Sequence, residues 1–167
     1  MICGSFFLAG SGDNPSAWDE YYRDDEGLCF NPVSTDAFSG GYYLHQRLPL
    51  TGDDLLFHDP GNDLIVLFSG YIYNKHGLPG RHGFDAGEPE PRIAARLFLE
   101  EGPDFVRRLN GDFAIFIGQP ARRRAYLFRD QVGIRPLAYS ADSSKLLFSS
   151  DVNSLCRRLG EIGRAHV

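Results

Sequence analysis

Most apolar residues of this chain lie in short segments. In some segments they alternate with polar residues, and in others they are consecutive, and both patterns are typical of β-strands. In the clearest run, Phe113, Ile115 and Ile117 would face one side, and the alanine and phenylalanine between them the other. A strand that is apolar on both faces is buried on both faces, as in the middle of a layered fold. We therefore predict that residues 105–140 form the organising core, as a short helix end, a strand, a turn, a return strand and a loop.

Other parts of the chain lack this pattern. Residues 10–41 and 77–91 are rich in Gly, Pro and acidic residues, which predicts irregular surface segments. Within the first segment, Ser39-Gly40-Gly41 is interpreted as a turn. Further along the chain, Arg122–Arg124 is interpreted as a solvated hairpin turn. The predicted strands are residues 2–9, 42–50, the two arms of a hairpin within 55–74, 113–117, 126–128, 137–140 and 145–149.

Helical spacing appears in fewer places. Ile93, Leu97 and Phe98 recur at helical intervals within residues 92–101, and the Gly-Pro pair that follows is a stop signal. Two further helices are predicted, a short one around 105–109 and another over 152–159. Strands grouped around a few helices predict an α+β or layered α/β architecture.

Composition narrows the class of protein. The 167 residues are 43% apolar and 13% aromatic, as in a globular domain with a real core, and the net charge of −5 argues against nucleic acid as a partner. The chain has three cysteines, Cys3, Cys29 and Cys156. This number is small and odd, which does not suit a disulfide scaffold and favours a location in a reducing cytoplasm. We expect no membrane association, because no apolar run reaches spanning length and the start lacks a basic signal-peptide region.

Five motifs occur together in this chain: I-C-G near the start, F-S-G-Y-I-Y-N, L-N-G-D-F-A-I-F-I, L-F-R-D-Q-V-G-I-R-P-L-A-Y and L-F-S-S-D-V-N-S-L. In this order they resemble class II glutamine amidotransferase domains, above all the N-terminal glutaminase domain of asparagine synthetases. The resemblance covers nearly the whole chain. It implies the N-terminal-nucleophile fold, an αββα four-layer sandwich in which two stacked antiparallel sheets are flanked by helices.

The resemblance implies that Cys3 is the nucleophile. Family members use an N-terminal cysteine whose thiolate attacks the side-chain amide of glutamine, with its own α-amine as the base. Here Met1-Ile2 precede Cys3, so its nitrogen is a peptide nitrogen as the sequence is written. Three interpretations stay open: a buried structural cysteine, removal of the dipeptide as a short propeptide, and translation from the second codon.

The oxyanion hole departs from the family pattern as well. Where the family has N-G-E-I-Y-N, this chain has Ser69-Gly70-Tyr71 before Ile-Tyr-Asn. By resemblance, the Ser69 side chain and the Gly70 backbone N–H are the oxyanion donors. Serine is shorter than asparagine, and losing one such donor costs about 10²–10³ in rate. Tyr71 replaces a glutamate whose backbone helps to hold the substrate.

Two further positions carry expectations for glutamine binding. Arg47 aligns with the arginine that pairs with the glutamine α-carboxylate, a match suited to a guanidinium fork. Glu90 aligns with the aspartate that binds the α-amine, and Glu88 is the alternative in the same acidic loop. The alternative interpretation of that loop is an acidic surface turn.

The resemblance implies a class II glutamine amidotransferase-like domain over residues 1–160. It would hydrolyse glutamine for an ATP-dependent amidation in a C-terminal synthetase domain that is absent here. We expect no cofactor in this domain, with ATP and Mg²⁺ serving only the synthetase domain, and a homodimer is possible. The histidines have no metal-ligand spacing. Because the site is altered, we expect poor or no glutaminase activity, and whether the chain is an enzyme stays open.

Two alternatives accompany this interpretation. The first is a non-catalytic scaffold domain of an asparagine-synthetase-like amide-forming cyclase, of the β-lactam synthetase or lasso peptide cyclase type. The second is a free-standing binding module. The last residues, E-I-G-R-A-H-V at 161–167, look like the translation of a sequencing adapter. We therefore expect that tail to be non-native and the protein to be truncated at this end.

Overall fold

The structure is a computed structural model that describes residues 1–8, 28–45, 51–78, 84–85 and 87–160. Contacts divide the chain into two compact units, residues 1–50 with 136–167, and residues 51–135. In chain order, the elements are β1 (Ile2–Phe7), β2 (Leu28–Ser34), β3 (Phe38–His45), β4 (Leu56–Asp59), β5 (Leu64–Ile72), α1 (Glu90–Glu101), β6 (Gly111–Gln119), β7 (Arg124–Arg129), β8 (Ala138–Ala141), β9 (Lys145–Ser149) and α2 (Val152–Gly160).

The first unit contains an antiparallel sheet whose described strands have the order β2-β3-β1-β9-β8. The central strand β1 is buried along its whole length. Leu155 of α2 lies in a buried cluster with Cys3, Tyr43 and Leu147 from the sheet. The helix therefore covers the face of the sheet to which Cys3 belongs.

Glycines allow close packing in the middle of this sheet. Gly4 pairs with Gly40, and a Cβ on Gly40 would lie 2.5 Å from the Gly4 Cα. A Cβ on Gly4 would meet the ring of Phe38 at 2.6 Å, so the missing side chain leaves room for the Phe38 and Phe148 rings, whose centroids are 6.5 Å apart. The predicted turn at Ser39-Gly40-Gly41 is therefore wrong. These residues lie inside β3, where the glycines serve packing.

The irregular segment predicted over 10–41 is wrong for residues 28–34 and 38–41, which form β2 and the start of β3. Among the described strands β2 lies at the edge of the sheet, and an edge tolerates Pro32 because one side of such a strand needs no ladder hydrogen bond. Its residues are only half-buried or exposed, so the strand carries no continuous apolar pattern. Residues 9–27 lie outside the described residues.

The second unit contains an antiparallel sheet of order β4-β5-β6-β7 in the described chain. The prediction for β6 is confirmed, because its residues from Asp112 to Gln119 are buried on both faces. One face packs against α1 and the 3₁₀ helix Gly102–Arg108. The buried residues of this core include Val66, Phe68, Ile93, Leu97, Phe98, Phe105, Phe113, Ile115 and Ile117.

Most other predicted elements are confirmed with small shifts. The hairpin within 55–74 forms as β4 and β5, and the helix predicted at 92–101 begins two residues earlier, at Glu90. The strand predicted at 42–50 begins four residues earlier, at Phe38, and its last five residues lie outside the described part. Two antiparallel sheets with accompanying helices confirm the α+β class. The tail at 161–167 lies outside the described residues.

Phe105 is the anchor that joins α1 to the sheet of the second unit. Its ring is fully buried and meets the rings of Phe98 and Phe128 edge-on, with centroids 6.1 and 5.3 Å away. We expect Phe105→Ala to lower the free energy of unfolding by about 3–5 kcal/mol, because it leaves a cavity in a packed core. Denaturant unfolding followed by circular dichroism measures this.

The matched control for Phe105→Ala is Leu99→Ala. Leu99 belongs to α1 but is 46% exposed, so its truncation leaves no cavity. We expect a change within about 0.5 kcal/mol, as for most surface substitutions. Equal losses for the two variants would contradict the packing role of Phe105.

Candidate active site

Cys3 lies in the middle of the first unit's sheet. It pairs with Gly41 on β3 and with Ser149 on β9, and its side chain is fully buried. The surroundings of the thiol are apolar, since its cluster contains Leu147 and Leu155. This burial raises the pKa of the Cys3 thiol above its ordinary range, and the nearby terminal ammonium offsets the rise only in part. In this arrangement the thiol is protonated at neutral pH.

The two residues before Cys3 are integral to the sheet. The amide N–H of Ile2 donates to Ser150 Oγ at 2.9 Å, and the amide N–H of Ser150 donates to the Ile2 carbonyl at 2.8 Å. The amide N–H of Tyr43 donates to the Met1 carbonyl at 2.9 Å, and the Ile2 side chain is fully buried. With Ile2 attached, the nitrogen of Cys3 is an amide and cannot act as a base.

The predicted oxyanion residues lie at the far end of β5. Ser69 is buried, Gly70 is half-buried and the Tyr71 side chain is half exposed. Gly70 has a φ of +126°, and a Cβ there would lie only 1.9 Å from the carbonyl oxygen of Asp112. No other residue type fits this position, because both the backbone conformation and the close approach require glycine. Gly70 is thus fixed by the fold itself.

A hydrogen-bonded network holds the same strand end. Tyr73 Oη donates to Asp112 Oδ1 at 2.8 Å, and Arg135 Nε donates to Asp112 Oδ2 at 2.9 Å. Burial raises the pKa of the Asp112 carboxyl, but these two donors outweigh it and hold the pKa below its usual value. The same hydrogen bond raises the pKa of Tyr73. Asp112 therefore stays ionised and ties β5 to β6 and to the loop that contains Arg135.

Asn74 fastens the chain just beyond β5. Its side-chain Nδ2 donates to the Arg108 carbonyl at 2.9 Å, and its Oδ1 accepts from the Asn110 amide at 2.9 Å. The Tyr73 amide donates to the Asn110 carbonyl at 2.7 Å. The segment after the oxyanion residues is consequently anchored on both sides to the residues that precede β6.

Asp130 organises the loop after β7. Its carboxylate accepts hydrogen bonds of 2.5–3.3 Å from five backbone amides in the described chain. These amides belong to Phe113, Val132, Gly133, Ile134 and Arg135. One buried side chain thus folds the 130–135 loop and joins it to β6, which places Arg135 beside Asp112.

The acidic loop before α1 is already engaged in ion pairs. Glu90 is the first residue of α1 and is buried, and its Oε1 accepts from Lys75 Nζ at 3.1 Å. Glu88 accepts from Arg96 Nη1 at 2.9 and 3.0 Å. Lys75 directly follows Asn74, so this contact joins the start of α1 to the segment that follows β5.

Four of the six predicted site residues belong to the second unit, namely Ser69, Gly70, Tyr71 and Glu90. The first three are consecutive on β5, and Glu90 pairs with Lys75, which lies three residues beyond the end of that strand. Cys3 belongs to the first unit, and Arg47 lies outside the described residues. Their roles remain predictions.

Sequence reasoning missed four residues that shape this region. Asp112 and Asp130 stand inside two of the quoted motifs, so the motifs were the signal that could have singled them out. Arg135 also lies in a motif, but its partner is 23 residues away. Lys75 carries no signal, because only the fold shows that it meets Glu90.

No group of three or more His, Cys, Asp or Glu side chains in the described part of the chain could hold a metal ion. No helix there is long and apolar enough to cross a membrane. The second unit has a cavity of about 560 Å³ whose described lining includes none of the predicted site residues. Its lining includes Val106, Arg108, Asn110, Arg129, Asp130 and Val132.

Comparison with solved structures identifies the class of fold. The chain is similar to glutamine phosphoribosylpyrophosphate amidotransferase from B. subtilis, with a TM-score of 0.52 and 18% identity. The match covers 74% of this chain and 29% of that protein. The fold is therefore that of the N-terminal-nucleophile glutamine amidotransferases, as expected from the motifs.

Sequence comparisons then identify the family. A model described as "Glutamine amidotransferase domain" matches residues 45–157, and the chain belongs to this family. Asparagine synthetase [glutamine-hydrolyzing] 2 of Bacillus subtilis (strain 168) is 30% identical over 142 residues, which are 82% of this chain and 17% of that protein. Asparagine synthetase [glutamine-hydrolyzing] of Zea mays is 32% identical over 123 residues, 68% of this chain and 20% of that protein. The chain thus spans about a fifth of the length of these relatives.

The Asp130 hydrogen bonds generate a pH-dependent prediction. Burial raises the pKa of Asp130, but the backbone donors outweigh it, so the folded pKa lies below the ordinary value of 3.8. Such a carboxylate stabilises the fold fully above its unfolded pKa, and the contribution is lost as pH falls through the folded pKa. We expect Asp130→Asn to lower the free energy of unfolding at pH 7 by about 2–3 kcal/mol or more, because a charged acceptor of several hydrogen bonds is lost. Denaturant unfolding between pH 7 and pH 3 measures this.

Two features make the pH experiment specific. Between pH 7 and pH 3, the free energy of unfolding should fall less steeply in Asp130→Asn than in the unmodified chain. Some fall should remain in the variant, because Asp59, Asp112 and Asp142 also have lowered pKa values. Asp104→Asn is the control, because Asp104 is exposed and forms a surface ion pair with Arg107. If the free energy of unfolding falls equally steeply with decreasing pH in Asp130→Asn and in the unmodified chain, the role of Asp130 is contradicted.

Proposed function

We propose that this chain is the glutaminase part of an asparagine-synthetase-like enzyme. It would convert glutamine and water to glutamate and ammonia, and the ammonia would serve an ATP-dependent amidation in a synthetase domain outside this chain. Family membership is the observation that carries the proposal, since residues 45–157 match the amidotransferase domain. The relatives that share this part of the sequence are named as glutamine-hydrolysing asparagine synthetases.

The proposed mechanism follows from an N-terminal nucleophile. The free α-amine of Cys3 takes the thiol proton, and the sulfur attacks the side-chain amide carbon of glutamine. The oxyanion is stabilised by the Gly70 N–H and the Ser69 side chain. The C–N bond then breaks, ammonia leaves with the proton from the α-amine, and a thioester remains. Water hydrolyses the thioester to glutamate and restores the thiol.

Binding of glutamine completes the proposed site. Arg47 would pair with the α-carboxylate, Glu90 would bind the α-ammonium, and the Tyr71 backbone would help to hold the substrate. Such contacts orient the amide carbon toward the sulfur, which is where positioning lowers the barrier. No cofactor takes part in this proposal. ATP and Mg²⁺ would act only in the synthetase domain.

A second candidate is a non-catalytic scaffold domain of an amide-forming cyclase. The observation that favours it is the placement of Cys3, whose thiol is buried and protonated behind two residues that are hydrogen-bonded into the sheet. The loss of the asparagine donor at Ser69 points the same way. Such a domain would stabilise an adenylating partner domain without hydrolysing glutamine.

Release of the Cys3 amine should switch on glutamine hydrolysis. The unmodified chain should keep Ile2 in its intact mass and release no glutamate above background. A fusion whose tag is cleaved directly before Cys3 should release glutamate, because the α-amine can then act as the base. Intact mass spectrometry and a coupled glutamate assay measure both properties on the same samples.

The controls separate catalysis from contamination. Cys3→Ala in the released chain should abolish the activity, whereas Cys29→Ala should not, since Cys29 lies exposed on the edge strand. A released chain that is folded yet produces no glutamate would contradict the glutaminase proposal and favour the scaffold.

Lengthening the oxyanion donor at position 69 should raise the rate. In the released chain, Ser69→Asn should increase kcat by up to about 10²–10³, because the longer amide side chain reaches further toward the developing oxyanion than the serine hydroxyl. Tyr71→Glu restores the glutamate of the family pattern at position 71. It should change kcat little, since the backbone of this residue, and not its side chain, is expected to hold the substrate. Steady-state kinetics with glutamine measure both. An unchanged or lower kcat in Ser69→Asn would argue against the oxyanion role of this position.

A further inference from the structure

The cavity of about 560 Å³ in the second unit is lined by the end of the 3₁₀ helix Gly102–Arg108, the start of β6 and the loop after β7. Its size falls within the range of about 300–1,000 Å³ that is usual for small-molecule sites. None of the described residues that line it belongs to the predicted glutamine site. The proposed function therefore leaves this cavity without a role.

The lining of this cavity is positively charged, although the whole chain has a net charge of −5. The described part of the lining contains three arginines and one acidic residue, Asp130. The Asp130 carboxylate already accepts hydrogen bonds from five backbone amides, so it offers little to a ligand cation. Positive charge that lines a recess attracts anions. The cavity thus favours a negatively charged ligand.

The three arginines differ in how far they are already neutralised. Arg107 pairs with Asp104, and Arg108 pairs with Glu101. Arg129 is exposed at the end of β7 and forms no ion pair with any carboxylate of the described chain. Its guanidinium group therefore keeps its N–H donors for a ligand.

The loop after β7 positions the Arg129 side chain. A Cβ on Gly133 would lie 3.1 Å from Cζ of Arg129 and 3.3 Å from both Nε and Nη2. Nearly equal distances to three atoms of one planar group mean that its face, and not its edge, lies against this glycine. The N–H edge, which forms the fork that binds a carboxylate, is thereby left open. Gly133 has a φ of +75°, so the backbone favours glycine here and makes room for the guanidinium.

Apolar side chains complete the lining of the cavity. Leu109 and Phe113 are buried, Val106 is half-buried and Val132 is 83% exposed. The two valines therefore have apolar surface that a ligand could remove from water, which is favourable. A bare inorganic anion would leave this surface uncovered. A carboxylate that is joined to a short aliphatic body would use both the charge and the apolar surface.

We propose that this cavity is a binding site for small organic carboxylates with an aliphatic body, and that Arg129 is the residue that binds the anion. The carboxylate forms a bidentate pair with the Arg129 guanidinium, and the aliphatic body covers Val106 and Val132. This inference does not depend on glutamine hydrolysis, because the two sites share no described residue. Binding can therefore be tested whether or not Cys3 is released.

The test titrates the full chain with three compounds and follows the backbone amide signals by NMR. Hexanoate carries the charge and the aliphatic body, hexanamide has nearly the same shape without the charge, and inorganic phosphate has charge without the aliphatic body. We expect hexanoate to bind with a dissociation constant of about 1–10 mM, as suits a ligand of this size. It should shift the amides of residues 106–113 and 129–134. Hexanamide and phosphate should each bind about tenfold more weakly or not at all.

Three variants of the full chain isolate the role of Arg129. Arg129→Met should weaken hexanoate binding by about tenfold or more, because a charge-assisted contact is lost. Arg124→Met is the matched control and should leave the affinity unchanged, since Arg124 is equally classed as exposed, lies at the other end of β7 and changes the net charge by the same amount. Arg129→Lys keeps the charge without the fork and should give an intermediate affinity. The amide spectrum of each free variant shows whether its fold is retained.

Four results would overturn the inference. Equal binding of hexanoate and hexanamide would mean that the cavity does not recognise the charge. Equal losses in Arg129→Met and Arg124→Met would indicate a general attraction of anions without a site. Amide shifts confined to residues outside the lining would place the ligand elsewhere. If hexanoate does not bind at all, the inference fails, and the glutaminase proposal is unaffected because it does not use this cavity.

Discussion

The reciprocal close approach of β5 and β6 is the constraint on which the second unit depends. A Cβ on Gly70 would lie 1.9 Å from the carbonyl oxygen of Asp112, and a Cβ on Gly111 would lie 2.1 Å from that of Tyr71. Two glycines from different motifs thus make room for each other's strand. The motifs F-S-G-Y-I-Y-N and L-N-G-D-F-A-I-F-I are two halves of one strand pair, and neither half fits without the other.

The polar residues of these motifs satisfy one another before any ligand is considered. Asp112 receives hydrogen bonds from Tyr73 and Arg135, and Asp130 binds the backbone of the loop that carries Arg135. Buried carboxylates are tolerable only when such partners are present. These motif residues therefore have a structural role of their own, independent of any ligand.

Prediction from the sequence succeeded where burial imposes a repeating pattern and failed where it does not. β6 and α1 have strong apolar periodicity because each packs against a core. The edge strand β2 is half exposed and lacks such a pattern. The glycines in β3 serve packing, yet in a sequence they look like a turn.

The candidate site could be predicted only through the resemblance to a family. The resemblance gave Cys3, Ser69 and Glu90, but not the cations that meet the acidic loop. Lys75 and Glu90 are 15 residues apart in the chain, and their contact depends on how the second unit folds. No periodicity reports such a pair. An ion pair of this kind becomes visible only when the tertiary structure is known.

The end of β1 is subject to two opposing demands. Ile2 is fully buried and exchanges hydrogen bonds with Ser150, which directly precedes the Asp151 that caps α2 through Ser154. Burying an isoleucine side chain stabilises a fold by about 1.5–3 kcal/mol, and the hydrogen bonds add to this. Catalysis by Cys3 requires that the same residue be absent, because only then is its nitrogen an amine. Stability favours the chain that retains Ile2, and nucleophilic chemistry favours the chain that has lost it.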